Sequence, residues 1–231
     1  MAIQFRLNPS VLKSVPLFAA FSDQQIATLL NYVQHRSYAR NVYVIQAGDE
    51  TDSIYVILSG KIKVIISDEQ GREVILGFMG SQEYFGEMGI LDDQPRSASV
   101  YTLEPCEMLR LSKSGFMSCL KENSEVAMLV IRNLVKRLRE ADRKIESLAL
   151  VDVSGRVARL LMDMAEEVEG RLMVPRMPAK QEIARMIGAS REMVSRVVKE
   201  LEQKNLIRTE RRSMVILDRN MTRSLKTMGA K

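Results

Sequence analysis

The spacing of the apolar residues changes character once along this chain, near Leu111. Between about Val42 and Leu111 lie short β-rich runs, YVI, SIYVIL, KIKVII, EVILGFM, SASVYT and EMLRL, broken by Gly48, Gly60, Gly71, Gly77 and Gly80. Runs this short and this regularly punctuated predict a compact β-barrel or sandwich. Beyond Leu111 the apolar residues return every three or four positions, the period of a helix. Two architectures therefore share one chain of 231 residues, long enough for two medium domains. The expected fold class is α+β.

Within the β region, SDEQGRE (Ser67 to Glu73) reads as a hairpin turn, because Gly71 takes a positive φ at little cost and the polar residues stay wet. Ahead of it, SVPLFAAFSDQQIATLLNYV predicts helix, with Ser22 as N-cap and Gln25 three residues on. After Leu111, the residues Ala127, Ile131, Leu134, Leu138, Ala141, Ile145 and Leu148 alternate spacings of four and three. That is the a/d seam of a coiled coil. A helix packed on its own barrel would explain part of the pattern, but three unbroken heptads suit a helical partner better, so a homodimer is expected. LVDVSGR (Leu150 to Arg156) then interrupts the seam with two N-cap residue types, Asp152 and Ser154, and a loosening Gly155. A hinge falls there. The expected divisions are 1–125, a β domain with flanking helices, 126–150, a dimerisation helix, and 151–231, a C-terminal domain.

Charge singles out the last of these. Residues 1–150 carry 17 basic and 18 acidic side chains, whereas 171–231 carry 15 basic and 6 acidic, a local net of +9. A polyanion-binding surface belongs at the C-terminal end, and DNA is the first suspect. There, KQEIARMIGASREMVSRVVKELEQKNLI predicts two amphipathic helices on either side of Gly188, with Ser190 capping the second. At about 100° per residue, Val194, Val197, Val198 and Leu201 share one face of that second helix, and Arg191, Glu192, Ser195 and Arg196 share another. The first face is core. The second has groove chemistry, since Arg bonds bidentately to guanine O6/N7 and Glu accepts from cytosine N4. LIRTERRSMVIL, which follows, predicts a β-hairpin wing whose tip, Arg211 and Arg212, reaches for phosphates. The tail from Asp218 to Lys231 is basic, weakly patterned and given no role.

Taken together, the early helix, the β-roll, the long helix and the helix-turn-helix resemble the cyclic-AMP receptor protein/FNR superfamily of bacterial transcription regulators. The most specific pieces are FGEMG (Phe85 to Gly89) followed by RSA (Arg96 to Ala98), and GASREMVSRVVKEL in the reading helix. The resemblance covers nearly the whole chain and implies an N-terminal cyclic-nucleotide-binding β-roll (double-stranded β-helix), a dimerisation helix and a C-terminal winged helix-turn-helix. It places Arg191, Glu192 and Arg196 at base-reading positions and Lys180, Gln181 and Ser190 where phosphates are held. Half-sites similar to TGTGA follow, with RNA polymerase as an expected partner.

FGEMG can also be read without the family. Gly86 and Gly89 let backbone N–H groups approach an anion, Glu87 offers a carboxylate to sugar hydroxyls, and Arg96 neutralises a phosphate. By resemblance, Arg96 and Ser97 hold the cyclic phosphate, Glu87 takes the ribose 2′-OH and Gly86 contributes backbone. Cyclic AMP is the first expectation. The family's Thr and Ser against adenine are replaced here by Ala141 and Asp142, and an ionised Asp142 suits the N1–H and N2–H₂ donors of guanine. Arg139, on the same helical side, can stack on a purine or bond its O6/N7, and Arg139 to Asp142 has the Arg-x-x-Asp spacing of some cyclic di-GMP sites, although it is also a common helix-surface ion pair. Cyclic di-GMP and cyclic GMP therefore stand as alternatives, as does a regulator active without ligand.

Other classes lack their residues. One His, His35, and two separated Cys, Cys106 and Cys119, leave zinc, iron–sulfur and cupin-type metal chemistry without ligands, so neither a metal nor an enzyme is expected. His35 is expected at or near the surface and both Cys as inert core thiols. A cyclic-nucleotide module that docks on an enzyme is argued against by the basic helix-turn-helix. No apolar run nears the roughly 18 residues of a membrane span, and MAIQFRLNPS lacks a signal pattern, so a cytoplasmic protein without membrane partners is expected.

Overall fold

The computed structural model describes residues 9–19 and 21–221. Two short helices, α1 (Pro9–Lys13) and α2 (Asp23–Leu29), precede the β region. It holds β1 (Val33–Tyr38), β2 (Tyr43–Ile45), β3 (Ser53–Ser59), β4 (Ile62–Ser67), β5 (Glu73–Met79), β6 (Tyr84–Phe85), the one-turn α3 (Met88–Leu91), β7 (Ser99–Thr102) and β8 (Cys106–Ser112). Then come α4 (Lys113–Glu122), α5 (Ser124–Leu150), α6 (Val153–Asp163), β9 (Glu166–Val168), β10 (Arg171–Val174), α7 (Lys180–Ile187), α8 (Arg191–Gln203), β11 (Ile207–Glu210) and β12 (Ser213–Ile216). The chain divides into two compact units, Met1–Leu138 and Arg139–Lys231, with the boundary inside α5. Among the described residues no helix is long and apolar enough to cross a membrane.

The first unit is a β-roll of two four-stranded antiparallel sheets, ordered β1-β8-β3-β6 and β2-β7-β4-β5. Tyr55, Ile57, Ile62, Met79, Phe85, Val100 and Met108 fill the space within it. Ile54, Val56, Leu109 and Leu111 face the other way, toward Leu12, Phe18, Ile26 and Phe116 of the flanking helices. Ser22 and Gln25 close the capping box expected at the start of α2. The predicted helix is shorter than its apolar pattern, ending in a 3₁₀ turn at Leu30–Tyr32 because Val33–Tyr38 pairs in register with β8 instead.

The long helix divides its faces. Val126 and Val130 are buried and Leu134 packs against the same core. Met128, Ile131, Val135, Leu138 and Ile145 are exposed, a strip at spacings of three, four, three and seven whose missing member is Asp142. Of the seam expected from sequence, Leu134 is half-buried and packs partly against the roll, while Met128 and Val135 add to the open side. The helix faces rotate this way because Val126, Val130 and Leu134, four residues apart, already commit one side to the roll.

In the second unit α6, α7 and α8 pack around Val157, Leu161, Ile183, Ile187, Val194, Val198 and Leu201. Asp152 caps α6, accepting from the Gly155 amide at 2.7 Å. Gly188 takes a left-handed conformation, φ 64° and ψ 51°, which ends α7 and turns the chain into α8. The strands form a sheet ordered β11-β12-β10-β9. The β11–β12 wing matches the sequence expectation, with Arg211 and Arg212 in its turn, and a second hairpin, β9–β10, that the sequence pattern does not mark, adds to the sheet. Of the unassigned basic tail, residues 222–231 lie outside the described residues.

Candidate ligand pocket and nucleic-acid interface

One end of the roll is built around FGEMG and RSA. Gly86, Glu87, Arg96 and Ser97 line a single cavity of about 70 Å³, together with Val64, Phe85, Met88 and Arg137. This volume is below the roughly 300 Å³ at which small-molecule pockets begin. The Arg96 side chain is 3% exposed and folds back on the strand ends, Nη1 donating to the Gly86 carbonyl at 2.8 Å and Nη2 to the Ser53 carbonyl at 2.7 Å. Gly86 sits at φ 89°, and a Cβ there would lie 2.6 Å from Arg96 Nη1, so only glycine lets the guanidinium lie against this backbone. Ser97 is exposed at the cavity rim.

Glu87 is 1% exposed. Burial pushes its carboxyl up, against the charges of Arg137 and Arg96. Arg137 on α5 holds it, Nη1 donating to Oε1 at 2.6 Å while Nη2 donates to the Tyr84 carbonyl at 2.5 Å. The other oxygen, Glu87 Oε2, and the Arg96 Nε are both buried without a hydrogen-bond partner. Both residues line the cavity, and a buried acceptor and a buried donor without partners are costly unless a ligand completes them. A sugar hydroxyl suits the first and a phosphate oxygen the second, so the residues fit a cyclic nucleotide.

Sequence reasoning did not find Arg137. Its partner is 50 residues away, and on α5 it is one of several basic side chains with no local pattern to mark it. Arg139 and Asp142 belong to the second unit, where both are exposed on α5. Cys106 and Cys119 are free and buried; burial raises both thiols, Cys119 to about 12. His35 is half-buried on β1, its Nε2 2.9 Å from Glu107 Oε2.

On the second unit, Ser190 caps α8 by accepting from the Met193 amide at 3.2 Å. Arg191, Glu192 and Arg196 are exposed on one side of α8, while Val194, Val197, Val198 and Leu201 are buried on the other. Hydrogen bonds from its own backbone amide and from Ser190 hold the Glu192 carboxyl below the ordinary range. Lys180 and Gln181 are exposed in the first turn of α7, and Lys180 Nζ donates to Ser195 Oγ at 3.0 Å. The arrangement offers one rigid helix face to a groove, with cations at its edge.

Comparison with known proteins bears on both ends. Residues 35–123 match the cyclic nucleotide-binding domain and residues 155–223 the Crp-like helix-turn-helix domain. The chain is 35% identical over 195 residues to the cAMP-activated global transcriptional regulator Vfr of Pseudomonas aeruginosa, covering 81% of this chain and 91% of that protein. It is 33% identical over 198 residues to the cAMP-activated global transcriptional regulator CRP of Haemophilus influenzae, covering 84% and 88%. Among solved structures, the c-di-GMP responsive global regulator CLP of Xanthomonas campestris matches with a TM-score of 0.70 at 29% identity, covering 85% of this chain and 100% of that one. A cyclic nucleotide-binding domain joined to a helix-turn-helix defines a DNA-binding transcription regulator, not an enzyme. The chain belongs to the CRP/FNR family of transcription regulators.

Proposed function

We propose that this regulator works as a homodimer, binding a TGTGA-like palindrome under the control of a cyclic nucleotide, with cyclic AMP the first ligand. The observation that carries the reading is a pair of buried atoms without a partner, Glu87 Oε2 and Arg96 Nε, on two residues that line one cavity. Arg96 and Ser97 take the cyclic phosphate, Glu87 the ribose 2′-hydroxyl and Gly86 contributes backbone. Ligand binding shifts the population toward a hinge setting in which two reading helices stand about 34 Å apart. Arg191, Glu192 and Arg196 then read bases, and Lys180, Gln181 and Ser190 hold phosphates. The work divides among residues 1–125, 126–150 and 151–231. The setting is cytoplasmic, with RNA polymerase as downstream partner.

Cyclic di-GMP and cyclic GMP form the second reading, supported by Asp142, an acceptor suited to guanine, and by Arg139 three residues before it. Calorimetry with the three nucleotides tests both readings. Heat from one of them, abolished by Arg96→Leu, supports the ligand-controlled regulator. No heat from any would overturn it in favour of a regulator active without ligand.

A further inference from the structure

Behind Arg96 stands a charged pair that does not line the pocket. Asp52, just before β3, accepts from Ser53 Oγ at 2.7 Å through Oδ1, and that oxygen lies 3.6 Å from Arg96 Nη2. Its other oxygen accepts from Arg110 on β8. Asp52 therefore stands between two guanidinium groups. Burial opposes its ionisation, but Ser53, Arg110 and Arg96 outweigh burial and hold its carboxyl below the usual range. Arg110 is itself tied to the pocket: strand register sets it beside Tyr55, which stacks on Phe85 with centroids 5.2 Å apart and planes within 9°. Phe85 begins FGEMG and lines the cavity.

We propose that Asp52 and Arg110 are a charge-balancing pair that sets how strongly Arg96 can hold an anion, with Arg110 as the counter-charge that keeps Asp52 from claiming Arg96 for itself. The proposal rests on reading Arg96 as the phosphate-holding group. A carboxylate 3.6 Å from a guanidinium competes with any ligand phosphate for the same charge. A second guanidinium on its far side offsets that competition without entering the cavity. Orientation does not depend on the pair, because Arg96 is already fixed by the Gly86 and Ser53 carbonyls. The pair therefore governs charge, and its two members act with opposite signs.

Opposite signs are what a merely structural role does not produce. Calorimetry with cyclic AMP, or with cyclic GMP or cyclic di-GMP if that gives the tighter wild-type isotherm, reads them. Arg110→Gln keeps a donor for Asp52 but removes the charge, and binding should weaken about fivefold to tenfold; Asp52→Asn should tighten it by about twofold to fivefold, both modest because Asp52 is solvent-screened. The double variant, again charge-balanced, should return to within about twofold of wild type. If Arg110→Gln lowers the melting temperature, Arg110→Lys, which keeps the charge, should bind like wild type. Weakening by both single variants, or no change from Arg110→Gln, overturns the pair while leaving the pocket intact. Wild type without heat from any of the three nucleotides overturns the anion site and the pair together.

Discussion

Arg137 Nη1 donates to Glu87 Oε1 at 2.6 Å across 50 residues of sequence, joining the long helix to the FGEMG loop. Any ligand that completes Glu87 Oε2 shares this carboxylate with α5. A ligand held by Glu87 would thereby be coupled to α5 through one side chain.

The pH dependence of Glu87 follows from its burial. Its raised folded-state value means that the folded protein holds the proton more tightly than the unfolded chain, from the ordinary 4.5 upward. The stability cost of ionised Glu87 is thus present at neutral pH and relieved as pH falls through the raised value. Thermal melts of wild type and Glu87→Gln between pH 7.5 and 5 should show wild type gaining relative to the variant as pH falls. Parallel curves would mean that Glu87 is solvated.

Specific and uniform losses should separate on the reading helix. Arg191→Ala is expected to cost about 1–3 kcal/mol on a TGTGA palindrome and to relax preference at one guanine. Lys180→Ala should weaken all sequences alike and lower the salt slope by about one unit. Fluorescence anisotropy on specific and random duplexes distinguishes them; equal losses for Arg191→Ala on both would remove it from base reading.

The exposed strip of α5 should make the dimer. Changing Ile131 and Leu138, which are 50% and 61% exposed in the single chain, to Asp would bury like charges between copies. Sedimentation should then give monomers with an unchanged melting profile of the roll. A persistent dimer would move the interface elsewhere.

Asp142 interrupts that strip and should discriminate bases. With a guanine ligand, Asp142→Ser is expected to lose about 1–3 kcal/mol of binding, the usual loss for a charge-assisted bond. With cyclic AMP, affinity should barely move. Calorimetry on both proteins decides between the two.

How much of this was legible follows from the distance over which each feature is encoded. The helix-turn-helix was readable residue by residue, because Gly188, the Ser190 cap and the buried Val194–Val198 face lie within a few residues of one another. The apolar strands announced themselves, while β1, which fully buries only Val33, carries no alternation and forms because β8 offers it a register. Strand β6 is two residues paired on β3, too short for any period. The β9–β10 hairpin is Glu-rich and largely exposed, marked only by the positive-φ pair Glu169 and Gly170. FGEMG and Arg96 could be named in advance, but Arg137 enters through a pairing 50 residues long, and Asp52 and Arg110 through one 58 residues long, that no local spacing records.

The central claim is that a cyclic nucleotide held by Glu87 and Arg96 controls DNA binding through the helix-turn-helix. Anisotropy titration of a TGTGA palindrome with wild type and Arg96→Leu, each with and without saturating cyclic AMP, cyclic GMP or cyclic di-GMP, tests it most directly. The account predicts that one nucleotide changes wild-type affinity for the palindrome at least tenfold, about 1.4 kcal/mol, and leaves Arg96→Leu unchanged. Identical titrations of wild type with and without every nucleotide would contradict it.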